Sequence, residues 1–172
     1  MYNFLREESM RACKRLTVLA FSFLCWTGIV PADDLAPQPF RFGSLTAIAA
    51  AREGKPFVLN LWSINCPPCR AELALLAKLA REHPRFDLVL VAADDPADAG
   101  EVQAVLADRG LGAVESWIFD EADAQRLRYE IDSGWYGELP RSYFYDASHK
   151  RIAVSGVLKE GQLSAWVAAI ER

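Results

Sequence analysis

The stretch Asn60-Leu61-Trp62-Ser63-Ile64-Asn65-Cys66-Pro67-Pro68-Cys69-Arg70-Ala71-Glu72-Leu73 constrains this chain more than any other. Phe57 to Trp62 reads as a buried strand, which breaks at Ser63–Asn65 and restarts as a helix. The first turn of that helix carries two cysteines three apart. A helix N-terminus offers free N–H groups and the positive end of the macrodipole, so a thiol placed there ionises more easily. Positions i and i+3 are neighbours on a helix, so the second sulfur can close a disulfide onto the first. Pro67 and Pro68 stiffen the turn without breaking it, because their missing N–H groups would have had no partner there. Cys66, at the helix end, is the expected exposed nucleophile. Cys69 shares an apolar stripe with Leu73, Leu76 and Ala80 and is the expected buried resolving thiol.

The same helix carries a carboxyl on the wrong face for solvent. At about 100° per residue, Glu72 falls between Leu76 and Leu79, whereas Arg70, Lys78 and Arg81 lie on the opposite side. A carboxyl directed to an apolar face beneath the dithiol has a raised pKa and can move protons for Cys69.

Before this stretch, Arg11, Lys14 and Arg15 precede the apolar run Leu16–Val30, and Val30-Pro31-Ala32 has small residues at the -3 and -1 positions of a cleavage site. That is a secretory layout. The run is short against the roughly 20 residues of a membrane span, so residues 1–32 are expected to be a signal peptide, with an N-terminal membrane anchor as the other reading. Met10 is a second candidate start. Cys25 lacks the small residue before it that a lipoprotein site needs. Residues 33–172 are then one exported domain, periplasmic or otherwise extracytoplasmic, whose only cysteines are Cys66 and Cys69. In an oxidising compartment two cysteines at this spacing meet as a disulfide unless something keeps them reduced.

Downstream, residues 33–43 read as an extended lead-in and Ser44 as the cap of a short helix, Leu45–Glu53. The dithiol helix runs to about His83, and Phe86–Ala92 is a second strand covered on both faces. A helix from Asp95-Pro96 to about Arg109, a strand Ser116–Phe119 and a helix Glu121–Glu130 follow. Gly134–Gly137 is a loop. Strands Arg141–Asp146 and Arg151–Val157 form a hairpin through Ala147–Lys150. An amphipathic helix, Gly161–Arg172, carries Leu163, Trp166, Val167 and Ile170 on one side. This order predicts an α/β fold, a central mixed sheet with helices on both faces and a C-terminal hairpin plus helix. In open α/β sheets, sites lie at the carboxyl ends of strands, where the cysteines fall.

Cys66-Pro67-Pro68-Cys69 after a strand, Glu72, and Gly137-Glu138-Leu139-Pro140 before a later strand together resemble the TlpA/ResA-like branch of the thioredoxin superfamily, over roughly residues 38–172. The resemblance implies a thioredoxin-like fold and an exported thiol–disulfide oxidoreductase. Such proteins commonly act as reductants fed by a membrane electron donor, and some reduce apocytochrome c before haem attachment. It further implies that Pro140 is a cis-proline packed against the dithiol and that Leu139 pairs with the substrate backbone. Pro67, Pro68, Trp135 and Tyr136 complete the expected substrate-facing set, although Trp135 and Tyr136 read equally well as local packing. Asn65 stands where the family usually has Trp, and Asn60 where thioredoxin itself keeps a buried Asp.

Other chemistries fit less well. A zinc site needs four ligands, and neither His83 nor His149 lies at a ligand spacing. Haem attachment would need His at position 70, which is Arg. A net charge of -4 and the lack of a basic cluster beyond Arg11–Arg15 argue against nucleic acid. Asp94, Asp95 and Asp98 read as loop and cap residues. No metal is expected, and no cofactor beyond the Cys66–Cys69 disulfide. The expected partners are protein thiols and disulfides. The dithiol bears no His or charged residue between its cysteines, which favours a reductant. The rival readings are an exported oxidant or isomerase, a Cu(I)-binding or chaperone module using soft thiolates, and a peroxide-handling enzyme.

Overall fold

A computed structural model describes residues 36–170; the signal peptide or anchor expected over residues 1–32, with its boundary, lies outside the described residues. Six strands, β1 (Gln38–Phe40), β2 (Phe57–Trp62), β3 (Leu88–Ala92), β4 (Glu115–Phe119), β5 (Arg141–Tyr145) and β6 (Arg151–Ser155), form one sheet in the order β1-β4-β3-β2-β5-β6. β1, β4, β3 and β2 run parallel, and β5 and β6 are antiparallel additions. The sheet is mixed, as expected. Five helices accompany it: α1 (Ser44–Ala50), α2 (Pro67–Glu82), α3 (Ala99–Asp108), α4 (Ala124–Ile131) and α5 (Glu160–Ile170).

The period-2 alternation of the central strands splits the interior into two cores. Val58 and Trp62 of β2, Leu88 and Leu90 of β3 and Phe144 of β5 face one side. There they pack with Leu73 and Leu76 of α2, Val102 and Leu106 of α3, and Leu163 and Val167 of α5. Phe57, Leu59, Leu61, Val89, Val91, Tyr143 and Tyr145 face the other side, against Ile48 of α1 and Leu127 and Ile131 of α4. Every residue of β2 and β3 is buried, which explains why both read as near-continuous apolar runs.

Several boundaries differ from the sequence reading. The extended lead-in contains a true edge strand: Gln38, Pro39 and Phe40 pair in parallel with Trp117, Ile118 and Phe119. Pro39 fits there because an edge strand leaves one side free of ladder bonds. Ser44 is not a helix cap; its Oγ accepts the Arg41 N–H at 2.9 Å, while Gly43 precedes the helix in a left-handed conformation, φ 86°. The Asp95–Arg109 segment opens as a 3-10 turn, Pro96–Asp98, capped by Asp95. α4 begins later than Glu121, because Asp123 accepts the Arg126 N–H and sets the start. β6 ends two residues before Val157, and α5 starts one residue before Gly161.

Candidate redox site

Cys66 is the N-cap of α2, at the carboxyl end of β2, with Pro67 and Pro68 in the first turn. It forms a disulfide with Cys69, the two Cα atoms 5.2 Å apart. The Cys69 N–H points back at Cys66 Sγ, 3.2 Å away. An N–H aimed at that sulfur from a helix N-terminus stabilises negative charge there. Cys66 is partly exposed and Cys69 buried, the exposures that the phase of α2 implies. Pro67 and Pro68 are exposed beside the sulfurs.

Glu72 is 2% exposed, one turn along α2 from Cys69 on the buried face that its helical phase requires. Each carboxyl oxygen has one donor: Asn60 Nδ2 at 2.7 Å to Oε1, and the Leu158 N–H at 2.7 Å to Oε2. Burial pushes the Glu72 pKa up, and the Leu158 and Asn60 hydrogen bonds oppose that rise without cancelling it. Asn60 reaches Glu72 because even-numbered residues of β2 face α2. The same parity places Asn60 opposite Ser142 of β5, and Asn60 Nδ2 also donates to Ser142 Oγ at 2.9 Å. Ser142, Asn60, Glu72 and the Leu158 backbone thus form one buried chain of contacts.

The loop that delivers Cys66 is held from below by Asp94. Its Oδ1 accepts the Ser63 hydroxyl at 2.7 Å and its Oδ2 the Ile64 N–H at 3.1 Å. Ser63 Oγ in turn accepts the Asn65 N–H at 3.1 Å. Asp94 is largely buried, and burial raises its pKa against the hydrogen bonds from Ser63 and Ile64. Read from sequence, Asp94 was one of three loop acids; its partners lie 30 and 31 residues away, and only the pairing of β2 with β3 brings them together.

A second loop arrives before β5. The Leu139–Pro140 peptide is cis, and the Pro140 carbonyl accepts the Gly156 N–H at 2.9 Å. Leu139 is half-buried and packs against both cores, sharing the first with Cys66. Trp135 is 4% exposed, and its Nε1 donates to the Glu138 carbonyl at 2.8 Å. Tyr136 is 93% exposed. Of the two aromatic candidates, one braces the loop from within and the other stands in solvent. Asp132 anchors the loop base, accepting from the Gly134 N–H (3.0 Å), Arg141 Nη2 (2.8 Å) and the Tyr143 hydroxyl (3.0 Å). Burial raises the Asp132 pKa, but those donors and the nearby Arg151 charge outweigh it and hold the carboxyl below its ordinary value.

Among the described residues no group of three or more His, Cys, Asp and Glu could hold a metal ion, and His149 Nε2 lies 2.9 Å from the Arg52 carbonyl.

No protein-family model matches the chain. A 34-residue stretch is 53% identical to the thiol:disulfide interchange protein DsbE of Yersinia pestis, covering 20% of this chain and 18% of that protein. The match therefore spans less than a fifth of that relative's length. Among solved structures, a secreted Mycobacterium tuberculosis disulfide oxidoreductase homologous to E. coli DsbE is 26% identical. It covers 70% of this chain and 85% of its own, with a TM-score of 0.57. M. tuberculosis DsbF, 22% identical, covers 82% and 98% with a TM-score of 0.58. The fold is thioredoxin-like, and its Cys66-x-x-Cys69 pair resembles the site of the thiol–disulfide oxidoreductases that it matches. Within that class the likeness is to DsbE, in keeping with the branch that the sequence motifs resemble.

Proposed function

We propose that this chain is an exported thiol–disulfide oxidoreductase that reduces disulfides in partner proteins. The observation that carries the reading is a partly exposed Cys66 at a helix N-terminus, disulfide-paired to a buried Cys69, with Glu72 buried one turn further along the same helix. In the reduced enzyme the Cys66 thiolate attacks a substrate disulfide, forming a mixed disulfide and releasing one substrate thiolate. Glu72 takes the proton of Cys69, whose sulfur then displaces the second substrate thiolate and closes the Cys66–Cys69 bond. Two electrons pass to the substrate, and its two thiolates take up protons from Glu72 and water. Returning the enzyme to the dithiol requires a two-electron thiol donor, which we assign to a membrane partner. Reversal of the same steps delivers the proton from Glu72 to the departing Cys69.

Export rests on the basic and apolar leader, and on the secreted character of the M. tuberculosis relative. Among the described residues no helix is long and apolar enough to cross a membrane, so any anchor would lie in the leader. Leu139, beside the cis-proline, and the exposed Pro67, Pro68 and Tyr136 form the surface that meets substrate, with Trp135 bracing it. Apocytochrome c, the substrate of some members of this branch, is the first natural candidate to test.

The reducing direction follows from the pair Pro67-Pro68 between the cysteines, which supplies no charge to stabilise the thiolate. Equilibration of the Cys66/Cys69 couple against thiol buffers tests it. We expect a potential below roughly -200 mV; a value near -120 mV, that of a strong oxidant, would reverse the direction.

A further inference from the structure

Arg128, in the last turn of α4, lies against the loop that leads to Pro140. A Cβ added to Gly137 would sit 3.4 Å from Arg128 Cδ and Nε, so the Arg128 side chain packs closely on the loop at that residue. Gly137 also has φ +96°, a conformation that L side chains rarely adopt. The buried Nε has no hydrogen-bond partner among the described residues, and no ion pair there includes the Arg128 guanidinium. The neighbouring charges are already engaged. Arg141 and Arg151 share Asp132, Glu138 takes Arg141, Ser155 and the Tyr136 N–H, and Arg126 stacks on Phe42 at 4.7 Å. A last-turn arginine is favoured by the helix dipole. That accounts for its presence in α4, but not for a buried Nε without a partner.

Around it is a groove of about 380 Å³, lined by Arg128, Tyr129, Ser133, Trp135 and Tyr136 among others. Tyr129 is 69% and Tyr136 93% exposed. Exposed tyrosines flanking an arginine, over a buried tryptophan, are the composition of a protein-binding hot spot. The groove lines no acidic side chain, in a chain whose net charge is -4.

We infer that this groove is a docking site for a partner polypeptide carrying an aspartate or glutamate close to its target cysteine, the carboxylate pairing with Arg128 between the Tyr129 and Tyr136 rings. The inference rests on the oxidoreductase reading and deepens it. The groove belongs to the same loop as Leu139, so a chain lying along Leu139 would carry its neighbouring side chains toward Arg128. The contribution is short-ranged, because the protein as a whole repels acidic partners.

The test uses the full chain, reduced and freed of reductant, with two disulfide-bridged peptides identical except for Glu or Gln beside one cysteine. The readout is the ratio of their single-turnover reduction rates within each protein. The wild type is expected to prefer the Glu peptide by roughly threefold to tenfold at low salt, the range of one partly exposed charge-assisted contact. The preference should collapse toward unity in about 0.5 M salt, where screening is nearly complete. Arg128→Gln should abolish it and Arg126→Gln should retain it. Tyr136→Glu, on a solvent-exposed side chain that does not endanger folding, should reverse it. Equal rates for both peptides in the wild type, or a ratio unmoved by both Arg128→Gln and Tyr136→Glu, would overturn the inference alone. Reduction of neither peptide would overturn the oxidoreductase reading, and the inference with it.

Discussion

Asn60 Nδ2 lies 2.7 Å from Glu72 Oε1, so the one polar side chain inside β2 is bonded to the one carboxyl buried in α2. The contact joins the strand that launches Cys66 to the helix that carries Cys69. It aims a donor at a carboxyl that burial favours in its protonated form.

If Glu72 carries the Cys69 proton, its titration governs resolution of the mixed disulfide. Resolution needs the carboxylate as base, and the raised pKa keeps the proton on Glu72 to higher pH than on an exposed glutamate. The resolving rate should therefore rise with pH through the Glu72 pKa, above 4.5. Glu72→Gln should lose that inflection and slow the step by at least roughly tenfold. Stopped-flow measurement of intermediate decay from pH 4 to 8 checks this, and an unchanged profile would remove Glu72 from the mechanism.

Replacing Asn60 by Asp puts a second carboxyl within hydrogen-bond reach of the first. Two such groups share a proton and titrate as a pair, the second loss pushed upward by like charge. Asn60→Asp should move the pH onset of resolution higher than in the wild type. Because the paired carboxyls hold their proton more tightly in the folded state, it should also lose thermal stability as pH rises from the ordinary carboxylate range upward, which calorimetry across pH reads directly.

The Asp94 clamp should matter to both fold and rate. Asp94→Ala leaves the Ser63 hydroxyl and the Ile64 N–H without their buried acceptor, costing about 1–3 kcal/mol. Because Ser63 also holds the Asn65 N–H, the turn before Cys66 loosens with it. Reaction of reduced Cys66 with a small disulfide should slow, while urea unfolding reports the stability loss separately.

Asp132 supports the cis-proline loop from three sides. Asp132→Ala leaves Arg141, only 12% exposed, without its closest carboxylate, and the expected loss is about 2–3 kcal/mol. The sign with pH is the reverse of Glu72. The folded pKa lies below 3.8, so this stability is complete above 3.8 and is lost as pH falls through the lower folded value. Acid unfolding of wild type and variant should therefore converge only at very low pH.

What could be read from the sequence was local. The phase of α2 located Glu72 on the buried face, because 3.6-residue periodicity needs no knowledge of partners. The cysteines and Pro140 came from motif and resemblance. What could not be read depended on register or distance. Asn60 gains its meaning from Ser142, which the pairing of β5 with β2 sets opposite it, and from Glu72, which the packing of α2 on β2 brings within reach. Asp94 looked like any loop acid until β3 set it under Ser63. The β1 strand leaves no signal in the sequence, because three residues with a central proline carry almost no pattern, and it exists only by pairing with β4.

The central claim is that Cys66 exchanges disulfides with proteins and Cys69 resolves them. Cys69→Ser removes the resolving sulfur and leaves the attack intact, so mixed disulfides should accumulate when this variant is expressed with its leader. Mapping the captured bonds by mass spectrometry should place partner cysteines on Cys66, with none captured by a Cys66→Ser, Cys69→Ser double variant. Recovery of no disulfide-linked protein at Cys66 would contradict the account.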